Sequence, residues 1–244
     1  MRNIKLTIQY DGTAYRGWQY QPGKKTIEET LNKAISKAVG HDITLYGAGR
    51  TDGGVHAMGQ VANFKTNTTI DLGNLPRVIN YYTPDDLAVI KAEQVSDDFH
   101  SRFSAKGKWY RYTIFEGRVM NPLYRNTMAL VHHKLDIEKM QAAIEPLIGE
   151  HDFKAFMGNR AAVHTTIRRL DAIEVSRKGP IITMDFKGKS FLKHMIRIIS
   201  GTAIDIGRGK IHENSLVTAM ESGKRSKAGL TAPAHGLCLM EIYY

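Results

Sequence analysis

The sequence predicts an α+β fold built from two similar lobes, and three observations lead to this prediction. Short segments that alternate apolar and polar residues, typical of half-buried strands, recur along the chain. In the first half, helix-period segments stand between them in a β-α-β-β-α-β order, the split βαβ arrangement. The second half repeats this order without evident sequence identity. We therefore expect lobes at 1–105 and 106–244, divided in a polar, basic stretch at 105–108.

The first lobe opens with an alternating strand from Ile4 to Tyr10. Thr26 then precedes a helix, and Glu29 three residues later predicts a capping box, with Gly40 as the stop signal. The remaining predicted elements are strands at 43–46, 55–64 and 87–95 and a helix at 75–80.

The second lobe opens with a strand from Trp109 to Phe115, with Tyr110 and Tyr112 on one face and Arg111 on the other. Asp136 caps a helix that Pro146 should kink or stop. Further strands are predicted at 166–175, 181–187 and 237–244.

A helix predicted at 191–206 is apolar almost all round and should be buried. Its polar exceptions, Lys193, Arg197 and Ser200, lie three or four residues apart and should share one stripe. A buried arginine normally has an acidic partner or a bound anion. Arg197 is therefore a candidate site residue.

Composition and charge limit the class of protein. Lysine and arginine number 34 against 24 aspartates and glutamates, a net charge of +10 that favours a polyanionic partner such as nucleic acid. The single cysteine, Cys238, excludes a disulfide framework and a cysteine zinc site, and its apolar neighbours predict a buried thiol. No signal peptide or membrane span is evident, so a cytoplasmic protein without membrane partners is expected.

The stretch at 47–57 reads G-A-G-R-T-D-G-G-V-H-A and places Asp52 among glycines, two residues after Arg50. It fits neither a dinucleotide fingerprint nor a P-loop, because Asp52 occupies the third glycine position and no Gly-Lys-Ser/Thr follows. The histidines form no ligand pattern with a carboxylate, so no metal is expected. Neither a serine elbow nor a second carboxylate near Asp52 is found.

The residues therefore suggest a loop carboxylate, a helical arginine and strand aromatics in a basic protein. An aspartate kept ionised by an adjacent cation can serve as nucleophile or base, and Tyr110 could stack on a base removed from its helix. The loop that holds Tyr15, Arg16, Trp18 and Tyr20 suits RNA contact, but Trp18 could equally anchor the loop to the core.

Seven separated motifs carry a family resemblance: Y-D-G-T-x-Y-x-G-W at 10–18, G-R-T-D-G-G-V-H-A at 49–57, F-H-S-R-F-S-A at 99–105, K-W-Y-R-Y at 108–112, G-x-H-D-F at 149–153, F-L-K-H-M-I-R at 191–197 and A-P-A-H-G-L at 232–237. In this order and spacing the chain resembles the bacterial tRNA pseudouridine synthase A family over essentially its whole length. It departs from the family at position 53, glycine where alanine is common, and at Glu28, where glutamine is usual.

The resemblance implies an isomerase, free of cofactor and metal, that converts uridine to pseudouridine in the tRNA anticodon arm, usually at tRNA positions 38 to 40. It implies two ferredoxin-like lobes that share a mixed sheet, a basic cleft between them that holds the active site, and a homodimer. By the same resemblance Asp52 is the nucleophile, Tyr110 packs on the target uracil, Arg197 pairs with Asp52, and Arg50 holds the flipped-out nucleotide.

Two other functions are compatible with the residues alone. One is a non-catalytic RNA-binding protein or chaperone that uses the basic cleft, and the other is a hydrolase that uses Asp52 at a glycosidic bond. The sequence leaves open whether Asp52 attacks C1′ of the sugar or C6 of the base, and which neighbouring uridines are modified. It also leaves open which basic residues touch RNA and how far activity depends on the dimer.

Overall fold

The computed structural model describes residues 1–158 and 163–244, and its contacts divide the chain into two compact units. Met1–Lys106 and Cys238–Tyr244 form the first unit, and Gly107–Leu237 form the second. In chain order the strands and α-helices are β1 (Arg2–Tyr10), α1 (Ile27–Val39), β2 (Tyr46–Gly47), β3 (His56–Thr66), α2 (Leu75–Asn80), β4 (Leu87–Val95), β5 (Gly107–Glu116), β6 (Ala129–Val131), α3 (Ile137–Ile144), β7 (Gly149–Asp152), β8 (Ile167–Lys178), β9 (Ile181–Gly188), α4 (Met195–Gly207), α5 (Ser215–Ser222) and β10 (Leu237–Tyr243).

Strand β1 is the centre of the first unit's sheet. It pairs antiparallel with β3, where Leu6 lies opposite Ala62, and antiparallel with β4 on its other side. Two strands pair with the edge of β3 that faces away from β1. Strand β2 runs antiparallel to the later part of β3, and β10 runs parallel to its beginning, with Cys238 opposite His56. This order is the split βαβ arrangement, and the predicted α+β class is confirmed. Cys238 is half-buried, so the prediction of a buried thiol is wrong.

Helix α1 forms where the sequence predicts it. Ile27, Leu31 and Ile35 recur at helical spacing and are at most 1% exposed, each burial contributing about 1.5–3 kcal/mol. The helix ends at Gly40, which adopts the left-handed conformation with a φ of 78°. By contrast, β2 is shorter than predicted and begins only at Tyr46.

The predicted capping box is wrong. Thr26 makes no side-chain cap, and within the described part of the chain its hydroxyl has no hydrogen-bond partner. The first amides of α1 are satisfied by backbone instead: Ile27 donates to the Gly17 carbonyl at 3.1 Å and Glu28 donates to the Trp18 carbonyl at 2.9 Å. The start of α1 is therefore fixed to the loop that follows β1.

The second unit contains an antiparallel sheet in the order β5-β9-β8-β7, with β6 parallel to β5. Tyr110 and Tyr112 are buried and Arg111 is not, as the alternation predicts. Asp136 caps α3 by accepting a hydrogen bond from the Lys139 amide at 3.1 Å. The helix stops at Ile144, and a 3-10 turn that contains Pro146 follows, as expected.

Helix α4 differs from its prediction at the N-terminal end. It begins at Met195, because His194 takes a left-handed backbone conformation with a φ of 63° that no α-helix can contain. Lys193 therefore lies outside the helix and is exposed, so the predicted stripe loses a member. Ser200 is buried as expected, whereas Arg197 is only half-buried.

Candidate active site

The loop between β2 and β3 places Asp52 at the start of a tight turn. The Asp52 carbonyl accepts a hydrogen bond from the Val55 amide at 3.1 Å. Within the turn, Gly54 has a φ of 79°, in the region that L side chains rarely adopt. Asp52 itself is half-buried, and Gly53 beside it is exposed. The turn fixes the backbone that carries the carboxylate.

The loop that follows β1 packs backbone to backbone against the Asp52 turn. The Trp18 amide donates to the Thr51 carbonyl at 3.0 Å, and the Gly54 amide donates to the Tyr15 carbonyl at 3.3 Å. A Cβ on Gly17 would lie 2.6 Å from the Thr51 carbonyl oxygen, so only glycine permits this approach. Two motifs that are far apart in sequence are thus packed against each other on both sides of Asp52.

The aromatic residues of this loop divide into two groups. Tyr15 and Trp18 are each 2% exposed, so they anchor the loop to the core, the second of the two interpretations left open by the sequence. Arg16 and Tyr20 are exposed, and they remain candidates for RNA contact.

Asp86, just before β4, holds Tyr15 in place. It accepts a hydrogen bond from the Tyr15 hydroxyl and another from Lys25 Nζ, the latter at 3.0 Å. Lys25 also lies 4.2 Å from the centre of the Tyr15 ring. Burial, and then the negative charge of Asp86, raise the pKa of Tyr15, so its hydroxyl stays a donor.

The end of the Asp52 loop is tied to the end of β1. The Gly12 amide donates to His56 Nδ1 at 3.0 Å, and Asp11 Oδ1 lies 3.2 Å from the same nitrogen. Partial burial opposes ionisation of Asp11, but hydrogen bonds from the Thr13 hydroxyl and amide hold the pKa of Asp11 below its ordinary value. Asp11 is therefore an anion at neutral pH beside the loop.

Arg50 belongs to the same loop but is exposed. Thr51 between it and Asp52 is buried, and Asp52 is half-buried. Arg50 is thus accessible to a ligand, as its predicted role requires.

Tyr110 lies in the second unit, in the middle of β5. It is 7% exposed and is paired with Phe186 of β9. Its ring forms a T-shaped pair with the ring of Phe191, at a centroid distance of 5.3 Å and an interplanar angle of 78°. The side chain is therefore held rigidly by sheet and aromatic contacts.

Arg197 lies in the first turn of α4, also in the second unit. Its Nε donates to the Ala232 carbonyl at 2.9 Å, and its own carbonyl accepts from the Ala232 amide at 3.0 Å. Two hydrogen bonds therefore join the start of α4 to the A-P-A-H-G-L motif. Of the four predicted site residues, Asp52 and Arg50 are in the first unit, and Tyr110 and Arg197 are in the second.

The sequence interpretation missed a role for three polar residues that form hydrogen bonds within and next to the Asp52 loop: Tyr10, Thr51 and Gln60. All three are less than a tenth exposed. One signal was available: Gln60 is a polar residue within an otherwise apolar stretch of β3, where burial requires hydrogen-bond partners.

The chain is similar to known proteins over its whole length. A model described as tRNA pseudouridine synthase matches residues 6–104 and 143–244. A tRNA pseudouridine synthase A of Citrifermentans bemidjiense is 45% identical over 245 aligned positions, which cover 100% of this chain and 98% of that protein. Proteins of the same description from Acetivibrio thermocellus and a Thermoanaerobacter species are each 44% identical, with both chains covered completely.

The chain belongs to the tRNA pseudouridine synthase family. The predicted family and enzyme class, an isomerase that modifies tRNA uridine, are therefore confirmed. None of the helices in residues 1–158 and 163–244 is long and apolar enough to cross a bilayer.

Proposed function

We propose that this protein converts uridine to pseudouridine in the anticodon arm of tRNA, at positions 38 to 40, with Asp52 as the nucleophile. The observation that carries the proposal is the position of Asp52 at the head of a backbone-fixed turn, inside the G-R-T-D-G-G-V-H-A motif of a chain that belongs to this family. Rigid support of this kind suits a group that must meet a reacting atom in one orientation.

The reaction exchanges one bond of the nucleoside for another. The bond between N1 of uracil and C1′ of ribose breaks, a bond between C5 and C1′ forms, C5 loses a proton, and N1 gains one. An ionised aspartate can assist by attacking C1′, which releases the base, or by attacking C6, which holds the ring while it turns. Both routes need one carboxylate, no redox partner and no metal.

Tyr110, Arg197 and Arg50 complete the proposed site. The family resemblance assigns Tyr110 to packing on the target uracil, Arg197 to pairing with Asp52, and Arg50 to holding the flipped-out nucleotide. Tyr110 is rigid and Arg50 is exposed, which suits these roles. An arginine paired with Asp52 would keep the carboxylate ionised and therefore nucleophilic.

The proposed partner is the anticodon stem-loop, bound by a homodimer in the cytoplasm. The net charge of +10 supports a polyanionic substrate, since lysine and arginine neutralise phosphates and release counterions. A target base inside a stem must leave its stack before a protein group can reach its glycosidic bond.

Tritium release from an anticodon stem-loop that carries 5-tritiated uridine tests the proposal. The wild-type protein should release tritium, and Asp52→Asn should lower turnover at least about 10⁴-fold while it binds tRNA with nearly unchanged affinity. Asp42→Asn is the matched control, since Asp42 is an exposed aspartate ten positions upstream in the same unit. Wild-type turnover without dependence on Asp52 would refute the assignment of the nucleophile.

The same assay separates the two other functions. A non-catalytic RNA-binding protein would bind the stem-loop and release no tritium. A glycosidic hydrolase would produce free uracil, which chromatography of the reaction detects. Pseudouridine as the sole product is the expected result.

A further inference from the structure

Three buried polar side chains, Gln60, Tyr10 and Thr51, are linked by hydrogen bonds, and the last of them immediately precedes Asp52. Tyr10, at the end of β1, is 5% exposed, Thr51 is 7% exposed, and Gln60 on β3 is fully buried. The Tyr10 hydroxyl lies 2.9 Å from Thr51 Oγ1, and Gln60 Nε2 lies 3.4 Å from the Tyr10 hydroxyl. Buried polar groups are retained where their hydrogen bonds fix a geometry.

The orientation of Gln60 sets the direction of these hydrogen bonds. Its Oε1 accepts from the Val61 amide at 3.1 Å, so its Nε2 faces the opposite way and donates to the Gly49 carbonyl at 3.0 Å and to Tyr10. With Gln60 as donor to the Tyr10 oxygen, the Tyr10 proton is available for Thr51 Oγ1. Burial raises the pKa of Tyr10, so the hydroxyl keeps that proton.

Thr51 transmits this arrangement to Asp52, which follows it in the chain. The Thr51 hydroxyl is held by Tyr10, and its carbonyl is held by the Trp18 amide at 3.0 Å. Three residues before Asp52, the Gly49 carbonyl is held by Gln60. Three hydrogen bonds, two to backbone carbonyls and one to the Thr51 side chain, therefore hold the segment that enters the turn.

We infer that Tyr10 is a positioning residue for the reaction, acting through its hydroxyl on Thr51 to hold the Asp52 carboxylate in its attacking orientation. This inference rests on the proposed function. Tyr10 itself is not assigned contact with substrate.

Tyr10→Phe isolates the hydroxyl from the packing of the ring. The ring, whose centre lies 6.4 Å from that of Trp18, stays in place, and only the bonds to Thr51 and Gln60 are lost. Because a small misplacement of a reacting group slows chemistry by up to about 10²-fold, we expect kcat to fall roughly 10- to 100-fold. KM should stay within about twofold, because substrate contacts are intact.

Thr51 and Tyr244 supply the matched variants. Thr51→Val removes the partner hydroxyl and should lower kcat as Tyr10→Phe does, whereas Thr51→Ser keeps that hydroxyl and should retain kcat. Tyr244→Phe deletes a hydroxyl that donates to the Ser101 carbonyl at 2.8 Å elsewhere in the first unit, and it should leave kcat unchanged. If Tyr10 and Thr51 act through one link, the double variant should lower kcat no further than the more impaired single variant.

The measurement is kcat and KM by tritium release for these variants, with the urea midpoint and tRNA affinity of each. A fall in kcat alone for Tyr10→Phe and Thr51→Val, with rescue by Thr51→Ser, supports the inference. Additive losses, an equal loss in Tyr244→Phe, or a change in KM alone would overturn it. If Tyr10→Phe does not fold, the comparison of kcat between Thr51→Val and Thr51→Ser tests the inference: equal kcat values in these two variants would overturn it.

Failure of this inference can be told from failure of the proposed function. An active wild type, an inactive Asp52→Asn and a fully active Tyr10→Phe would remove the role of Tyr10 alone. A wild type that never releases tritium would remove the proposed function itself.

Discussion

The Trp18 amide donates a 3.0 Å hydrogen bond to the carbonyl of Thr51, and this bond joins the loop after β1 to the residue that precedes Asp52. The glycines on both sides permit the contact. A Cβ on Gly12 would lie 2.0 Å from the Val55 carbonyl oxygen, and a Cβ on Gly47 would lie 2.5 Å from the Trp18 ring. Gly12 and Gly47 therefore permit the close packing of one loop on the other.

Substitution of two other glycines in these loops, Gly17 and Gly53, should have unequal effects on stability. Gly17→Ala places a Cβ 2.6 Å from a backbone oxygen at a φ of 94°, and we expect a loss of about 2–4 kcal/mol in the free energy of unfolding. Gly53→Ala meets its nearest neighbour at 3.4 Å without a positive φ, so it should stay within about 1 kcal/mol of the wild type. Urea titration measures both. Equal destabilisation would contradict the account of the loop packing.

Acid should weaken the junction of Asp11 with the loop. Because the folded-state pKa of Asp11 is lowered, its contribution to stability is present above its unfolded pKa of about 3.9 and is lost as pH falls through the folded value. Asp11→Asn should therefore lose less stability than the wild type between pH 6 and pH 3. Thr13→Val, which removes one of the hydrogen bonds to Asp11, should give an intermediate result. Identical pH dependence in all three proteins would argue against this role for Asp11.

Binding of tRNA should depend steeply on salt. If about six or more phosphates are neutralised, affinity should fall about 10³-fold or more between 50 and 200 mM salt. Fluorescence titration of a labelled anticodon stem-loop measures the slope, and Asp52→Asn should show the same slope as the wild type. A flat response would be incompatible with a basic RNA-binding surface.

Arg197 should matter for both folding and turnover. Arg197→Ala removes the hydrogen bond to the Ala232 carbonyl, which should cost about 1–2 kcal/mol of stability, and it removes the proposed cation beside Asp52, which should lower kcat about 10²-fold. Arg197→Lys keeps the charge but not the planar fork, so its kcat should be intermediate. Full turnover by Arg197→Ala at a temperature where it is folded would exclude the proposed role.

Local signals in the sequence were sufficient for most of the fold. Helix α2 and strand β4 occupy the residues expected, because Pro76 marks the first turn of α2 and a strand pattern marks β4. Strand β7 and helix α5 were not predicted, and two errors at helix starts arose where distant backbone or an unusual φ intervened. Carbonyls of Gly17 and Trp18 satisfy the start of α1, and the left-handed His194 delays α4. Residue spacing predicts neither hydrogen bonds to a distant backbone nor a left-handed conformation at a single residue.

The candidate site divides in the same way. Asp52, Tyr110 and Arg197 could be selected as candidates from local patterns, whereas the pairing of Arg197 with Asp52 and the role of Arg50 depended on the family resemblance. The polar Gln60 in an apolar stretch was a signal, but the partners of Tyr10 could not be predicted, because they are 41 and 50 residues away and meet it only through the pairing of β1 with β3. The register that brings β1 and β3 together is established only when the sheet folds.

Mapping of pseudouridine in bulk tRNA tests whether Asp52 carries the proposed reaction in the anticodon arm. Cells that lack the protein should have unmodified uridine at positions 38 to 40, and a restored wild-type copy should return pseudouridine there. A restored Asp52→Asn copy, expressed to the same level, should return none. Pseudouridine restored by the Asp52→Asn copy, or its undiminished presence without the protein, would contradict the account.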